Sequence, residues 1–159
     1  MKKNLIIKYK EYSKIKELNI EEINLIASAT EAIKSSYAPY SNFNVGAAVL
    51  MTGGQIIIGS NQENAAYPSG LCAERTAIFS AHTQFPKENM LAIAIVAGKN
   101  GKILLTPAYP CGACRQVMAE SQLRSGKPLK IICAGKNKIQ VFEGIENILP
   151  FIFDGKSLD

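Results

Sequence analysis

Apolar residues recur at helical spacing in NIEEINLIASATEAIKSSY, where Ile23, Ile26, Ala27, Ala29 or Thr30, and Ile33 fall on one side. Asn19 stands where an N-cap belongs and two glutamates follow in the first turn, so the pattern predicts a helix ending before APYSNF, where Pro39 blocks continuation. The period then changes. VGAAVLM and QIIIGSN are runs of strand length separated by Thr52, Gly53 and Gly54, which predicts two strands joined by a glycine turn. A helix is predicted over 71–83, and MLAIAIVAG follows as a wholly apolar, central strand. Another helix opens after Pro110 in PCGACRQVMAESQL, LKIICAG and KIQVFE supply two more strands, and a short helix is predicted near IENIL. Five strands alternating with helices predict one mixed sheet with helices on both faces.

At 159 residues with 47% hydrophobic content, the chain has enough apolar material for one core and too little for two typical domains. The start, MKKNLIIKYK, lacks the apolar stretch of a secretory signal, and the longest apolar run is far short of the roughly 18 to 20 residues of a membrane helix. The expectation is a cytoplasmic protein with no membrane partner, whose four cysteines are reduced thiols. Net charge is +5, but residues 1–18 carry six lysines against Glu11 and Glu17, which leaves +1 for the rest. A basic N-terminal extension, 1–18, is therefore set apart from a domain over 19–159. The extension reads as a solvated arm or short helix, and the body offers no basic face for nucleic acid.

The chemistry lies in two stretches. In SGLCAERTAIF, Cys72 and Glu74 sit at a helix start, and in PCGAC, Cys111 and Cys114 are three apart, which puts both sulfurs on one face of a first turn. A Cys-x-x-Cys pair alone fits a redox couple as well as half a zinc site. Cys72 offers a third sulfur, and helix N-termini favour thiolate at all three positions. Three ligands leave tetrahedral zinc one position for water, whose pKa zinc lowers from 15.7 to about 7. Glu74, on a different side of its helix from Cys72, is then placed as general acid and base rather than as a ligand. Zinc with three thiolates is anionic, so a cation belongs nearby, and Arg75 and Arg115 are the candidates to hydrogen-bond a ligand sulfur. The alternative is a closed structural site with Cys133 as fourth ligand, although Cys133 lies in an apolar strand and reads as a small hydrophobe. His82, the only histidine, falls two to three turns beyond Glu74 and reads as a solvent or packing residue.

The segments YAPYSNFNVGAAV, NQENAAYPSGLCAERTAIF, PCGACRQVM and ILPFIFDGKSL, in that order over residues 37 to 158, resemble the small homotetrameric cytidine deaminases. The cysteine-x-glutamate element followed by Pro-Cys-x-x-Cys is the general signature of zinc deaminases. The resemblance implies a three-layer α/β/α fold around a central mixed five-stranded sheet, and one Zn2+ per subunit on Cys72, Cys111 and Cys114, with Glu74 as proton shuttle. It implies Asn61 and Glu63 on the ribose hydroxyls, Phe43 against the nucleoside, and Phe153 reaching a neighbouring subunit's base, so that active sites are shared. The implied activity is hydrolytic deamination of cytidine and deoxycytidine. Two alternatives stay open: a deaminase of a related nucleoside or nucleoside antibiotic, and a structural-zinc module that binds RNA through the basic extension. Residues 1–18 are longer than the family's usual start, and the resemblance gives them no role.

Overall fold

Asn19 begins the first helix, α1 (Ile20–Ala32), by a reciprocal cap: its side chain accepts from the Glu22 amide at 2.9 Å while the Asn19 amide donates to the Glu22 carboxylate at 3.2 Å. The other helices are α2 (Ala73–Gln84) and α3 (Gly112–Ser125). This computed structural model describes residues 1–158. The strands are β1 (Lys10–Tyr12), β2 (Phe43–Met51), β3 (Ile56–Ser60), β4 (Met90–Lys99), β5 (Lys102–Ile103), β6 (Lys130–Ala134) and β7 (Ile139–Glu143). They form one sheet of order β1-β7-β6-β4-β2-β3, with β5 paired to β4. β4 and β6 are parallel and every other pairing is antiparallel.

Alternation along the central strand separates two cores. Ala92, Ala94 and Val96 face α1, where Leu25, Ile26 and Ala29 are buried. Ile93 and Ile95 face α2 and α3, packing with Ala77, Ile78, Met118 and Ala119. The expected layering of helices on both faces is present. All five strands read from apolar runs are also present, as β2, β3, β4, β6 and β7, but the sheet has seven. β5 is a two-residue return after Asn100 and Gly101, both at positive φ, and is too short to show a pattern. β1 lies in the basic leader, which is neither a free arm nor a helix there. Its backbone pairs with β7, Lys10 to Val141 and Tyr12 to Ile139, and backbone pairing requires no apolar alternation. The short helix expected near IENIL is one 3-10 turn, Ile145–Asn147.

Direction along the sheet fixes where α2 and α3 begin. β3 runs antiparallel to β2 and β2 antiparallel to β4, so β3, β4 and β6 point the same way. α2 follows β3 and α3 follows the β4–β5 hairpin, so both helices start beyond the carboxyl ends of these strands, the usual position of a binding crevice in open sheets. Helix and sheet approach closely at two glycines. A Cβ on Gly59 of β3 would fall on the Ala77 amide nitrogen and 2.6 Å from the Ala73 carbonyl oxygen, both backbone atoms of α2, and one on Gly46 would fall 2.9 Å from the Ile33 nitrogen.

Gly59→Ala is expected to push α2 off the sheet and destabilise the fold by about 2 kcal/mol, the usual scale of an overpacked core. Urea unfolding measures it, and an unchanged midpoint would contradict the close approach.

Candidate active site

Two helix starts meet at one point. Cys72 is the N-cap of α2 and Cys111 the N-cap of α3, both with extended backbone, and neither sulfur caps its own helix. Cys114 follows in the first turn of α3 and is fully buried. The three sulfurs lie within 4.8 Å of one another, with Cys72 and Cys111 at 3.8 Å. Zinc–sulfur bonds of 2.3 Å at tetrahedral angles place two sulfurs about 3.8 Å apart, so the Cys72–Cys111 pair already has the spacing that zinc requires, with Cys114 close beside it. Cys133 stands outside this triad, buried in β6. Burial, chiefly, and the Glu74 carboxylate push its thiol up to about 12. It packs as the small hydrophobe expected, and among the described residues no fourth cysteine joins the cluster.

Charge within the triad is divided unequally. A hydrogen bond from the Cys114 thiol, and after it the Arg75 guanidinium, draw Cys72 down to about 5 despite its burial. Cys114 is driven far up by the same hydrogen bond, by burial and by Glu74. The hydrogen bond between the two sulfurs therefore favours thiolate at Cys72 and opposes it at Cys114. Arg75 Nη2 donates to Cys72 Sγ at 3.6 Å, as the charge balance suggested, while its Nε is buried without a partner. Arg115 does not reach a sulfur. Its Nε donates to the Pro110 carbonyl at 2.8 Å and its Nη1 to the Ile148 carbonyl at 2.7 Å, so it fastens the chain just before Cys111 to the C-terminal segment.

Glu74, one residue inside α2, is 5% exposed. Desolvation, and secondarily the negative Cys72 sulfur, raise its carboxyl above the ordinary value, against opposing hydrogen bonds from its own amide and from Cys114. A carboxyl with a raised pKa beside a metal-binding triad is suited to taking up and returning a proton near neutral pH.

Of the triad, Cys72 lines a cavity of about 490 Å³, together with Tyr40, Ser41, Asn61, Glu63, Tyr67 and Arg75; Cys111, Cys114 and Glu74 lie outside its lining. Asn61 is held rigidly, its Nδ2 donating to the Phe43 carbonyl and its Oδ1 accepting from the Val45 amide, each at 2.8 Å. Glu63 accepts from the Tyr40 and Ser41 amides at 3.0 and 3.3 Å and from the Ser41 hydroxyl, which holds its carboxyl below the usual range. Phe43, half-buried at the start of β2, and Phe153, exposed near the C-terminus, do not line this cavity. Gln116 Nε2 donates to the Phe153 carbonyl at 2.8 Å, so the tail is tied to α3. Sequence reasoning missed Tyr40 and Tyr67, which meet edge to face with centroids 5.9 Å apart. The proline next to each was the available signal for an aromatic held in a turn. His82, read as a solvent or packing residue, joins α2 to α3, its Nε2 meeting Ser121 Oγ at 3.1 Å.

Residues 20–126 match the model of the cytidine and deoxycytidylate deaminase zinc-binding region. The cytidine deaminase of Halalkalibacterium halodurans is 50% identical over 96 residues, covering 60% of this chain and 68% of that one. A probable cytidine deaminase of Dictyostelium discoideum is 30% identical over 142 residues, covering 89% and 90%. The crystal structure of the cytidine deaminase from Burkholderia pseudomallei superposes with a TM-score of 0.69 at 39% identity, covering 82% of this chain and 97% of that one.

In the metal-free protein at pH 6, iodoacetamide is expected to modify Cys72 while sparing Cys114 and Cys133, with the Cys72 rate falling as pH drops through about 5. Arg75→Gln removes a group that stabilises the thiolate and moves that midpoint upward. Peptide mapping by mass spectrometry at several pH values reads both effects, and preferential labelling of Cys133 would contradict the assigned charge distribution.

Proposed function

The chain belongs to the cytidine and deoxycytidylate deaminase family, and on that premise we propose that it hydrolyses cytidine and deoxycytidine to uridine and deoxyuridine with release of ammonia. The observation that carries this reading is a triad of sulfurs within 4.8 Å of one another, with a buried, raised-pKa carboxyl in the adjoining helical turn. Cys72, Cys111 and Cys114 would hold one zinc ion, which supplies a Lewis acid that makes water acidic enough to ionise near neutral pH. Arg75 offsets the negative charge of the sulfurs.

Glu74 moves the protons. As carboxylate it accepts one from the attacking water and gives it to the ring nitrogen beside the reacting carbon. It then serves the departing amine in the same way, so its own charge is restored at the end of the cycle. Its burial keeps competing water from the relay. Asn61 and Glu63 are assigned to the ribose hydroxyls: each keeps a lone pair beyond those engaged with the β2 backbone and the 40–41 turn, and Asn61 one more amide hydrogen. Phe43 and Phe153 are assigned to the nucleoside base. Because Phe153 is exposed and outside its own chain's cavity, its assignment carries with it a homotetramer in which the tail of one subunit completes the site of another. In this reading residues 19–159 form the catalytic domain and act on free nucleosides in the cytoplasm, without a nucleic-acid or membrane partner. Among the described residues, no helix is long and apolar enough to cross a membrane.

Purified protein is expected to shift the ultraviolet absorbance of cytidine and to stop after prolonged chelation. Glu74→Gln is expected to retain one zinc per chain by elemental analysis while turnover falls by about 10³-fold, within the range for a general acid–base residue. Full activity of that variant, or release of ammonia only from a modified nucleoside, would overturn the assignment.

Phe153→Ala and Glu74→Gln are each expected to be nearly inactive as homotetramers. Co-assembled from one cell, they regain measurable turnover if a site takes Glu74 from one subunit and Phe153 from another. Mixed assemblies as inactive as the parents would place both residues in the same chain's site.

A further inference from the structure

The basic leader acquires a specific role when its bonds are followed across the sheet. Register places four residues in a row on the face that carries the sulfur triad: Ile95 of β4, Cys133 of β6, Gln140 of β7 and Glu11 of β1. Gln140 is the polar member of the row's interior, only 7% exposed. Both ends of its amide are used. Gln140 Nε2 donates to the Glu11 carboxylate at 2.8 Å, and Gln140 Oε1 accepts from the Tyr109 hydroxyl. Tyr109 is two residues before Cys111.

A second route runs beside the first. The Lys8 amide donates to Asn147 Oδ1 at 2.9 Å, and the carbonyl of the next residue, Ile148, accepts from Arg115, which also holds the Pro110 carbonyl. The two residues preceding Cys111 are therefore each fastened, Pro110 by Arg115 from within α3 and Tyr109 by the row that ends in the leader. Backbone bonds leave this loop to its side chains: Pro107 and Pro110 have no amide hydrogen to give.

We infer that β1 is a brace for the metal-binding loop, and that Glu11, Gln140 and Tyr109 are positioning residues that hold Cys111 at its distance from Cys72. The inference rests on the zinc reading above. Outer partners of metal ligands set how well the ligands are oriented, and their loss usually weakens metal binding about 10- to 100-fold. Glu11 lies at the sheet edge, and its partner Lys138 at 3.3 Å would suggest a mere surface ion pair. The Gln140 amide is, however, the chief influence holding the Glu11 carboxyl below its usual range.

The test is the rate of zinc loss from the full-length, zinc-loaded protein to a chromophoric chelator. Tyr109→Phe keeps the ring and removes the hydroxyl, and it is expected to speed release about tenfold. Glu11→Ala is expected to speed it less, and the double variant no more than Tyr109→Phe alone. Glu11→Gln keeps the acceptor for Gln140 but removes the charge facing Lys138, so it restores the wild-type rate. Asn19→Ala, which removes a remote helix cap, lowers the thermal midpoint without changing release. Unchanged release in Tyr109→Phe, additive effects in the double variant, or failure of Glu11→Gln to restore the rate each overturns the inference. Wild-type protein that never retains zinc overturns the zinc reading instead.

Discussion

Like charges crowd at the meeting of two helix starts, and the rest of the molecule is arranged to tolerate it. Three sulfurs within 4.8 Å cannot all ionise unaided. Two helix N-termini, the Arg75 guanidinium and the hydrogen bond between Cys114 and Cys72, which opposes ionisation of Cys114, share the compensation, and a divalent cation fits the same requirement. Each of these depends on α2 and α3 ending their approach at the same place. That in turn depends on the common direction of β3 and β4 and on the bare backbone of Gly59, which lets α2 lie directly on the sheet.

Glu74 gains its raised pKa from the same arrangement. The residue is an acidic group in the first turn of a helix, where the dipole would ordinarily favour its charge. Burial and the neighbouring sulfur prevail because the carboxyl points into the junction rather than into water. Exposed at the same sequence position, it would be an ordinary helix-start glutamate with no catalytic value.

Those parts of the fold that depend on apolar burial were legible in the sequence. The five long or wholly apolar strands and α1 with its Asn19 cap followed from period and punctuation, and the Cys-x-Glu and Cys-x-x-Cys spacings marked the triad. β1 and β5 were not legible, because a three-residue and a two-residue strand held by backbone bonds leave no periodic trace. Arg115 illustrates a different limit: adjacency to Cys114 suggested a sulfur partner, whereas a long side chain selects among all acceptors within reach and finds two carbonyls. Asn61 was read as a polar group for substrate. Its bonds to the Phe43 and Val45 backbone, which hold it rigid, depend on a β2–β3 register that no linear reading supplies.

The 3.8 Å between Cys72 and Cys111 has a consequence for the protein's durability. That distance suits two sulfurs sharing an ion, and it is also within easy collapse of the roughly 2.05 Å of a sulfur–sulfur bond. With the ion removed, an ionised Cys72 faces an exposed Cys111, and any two-electron oxidant in the medium can join them. Keeping the ion bound therefore protects the thiols, and demetallated preparations belong under reductant.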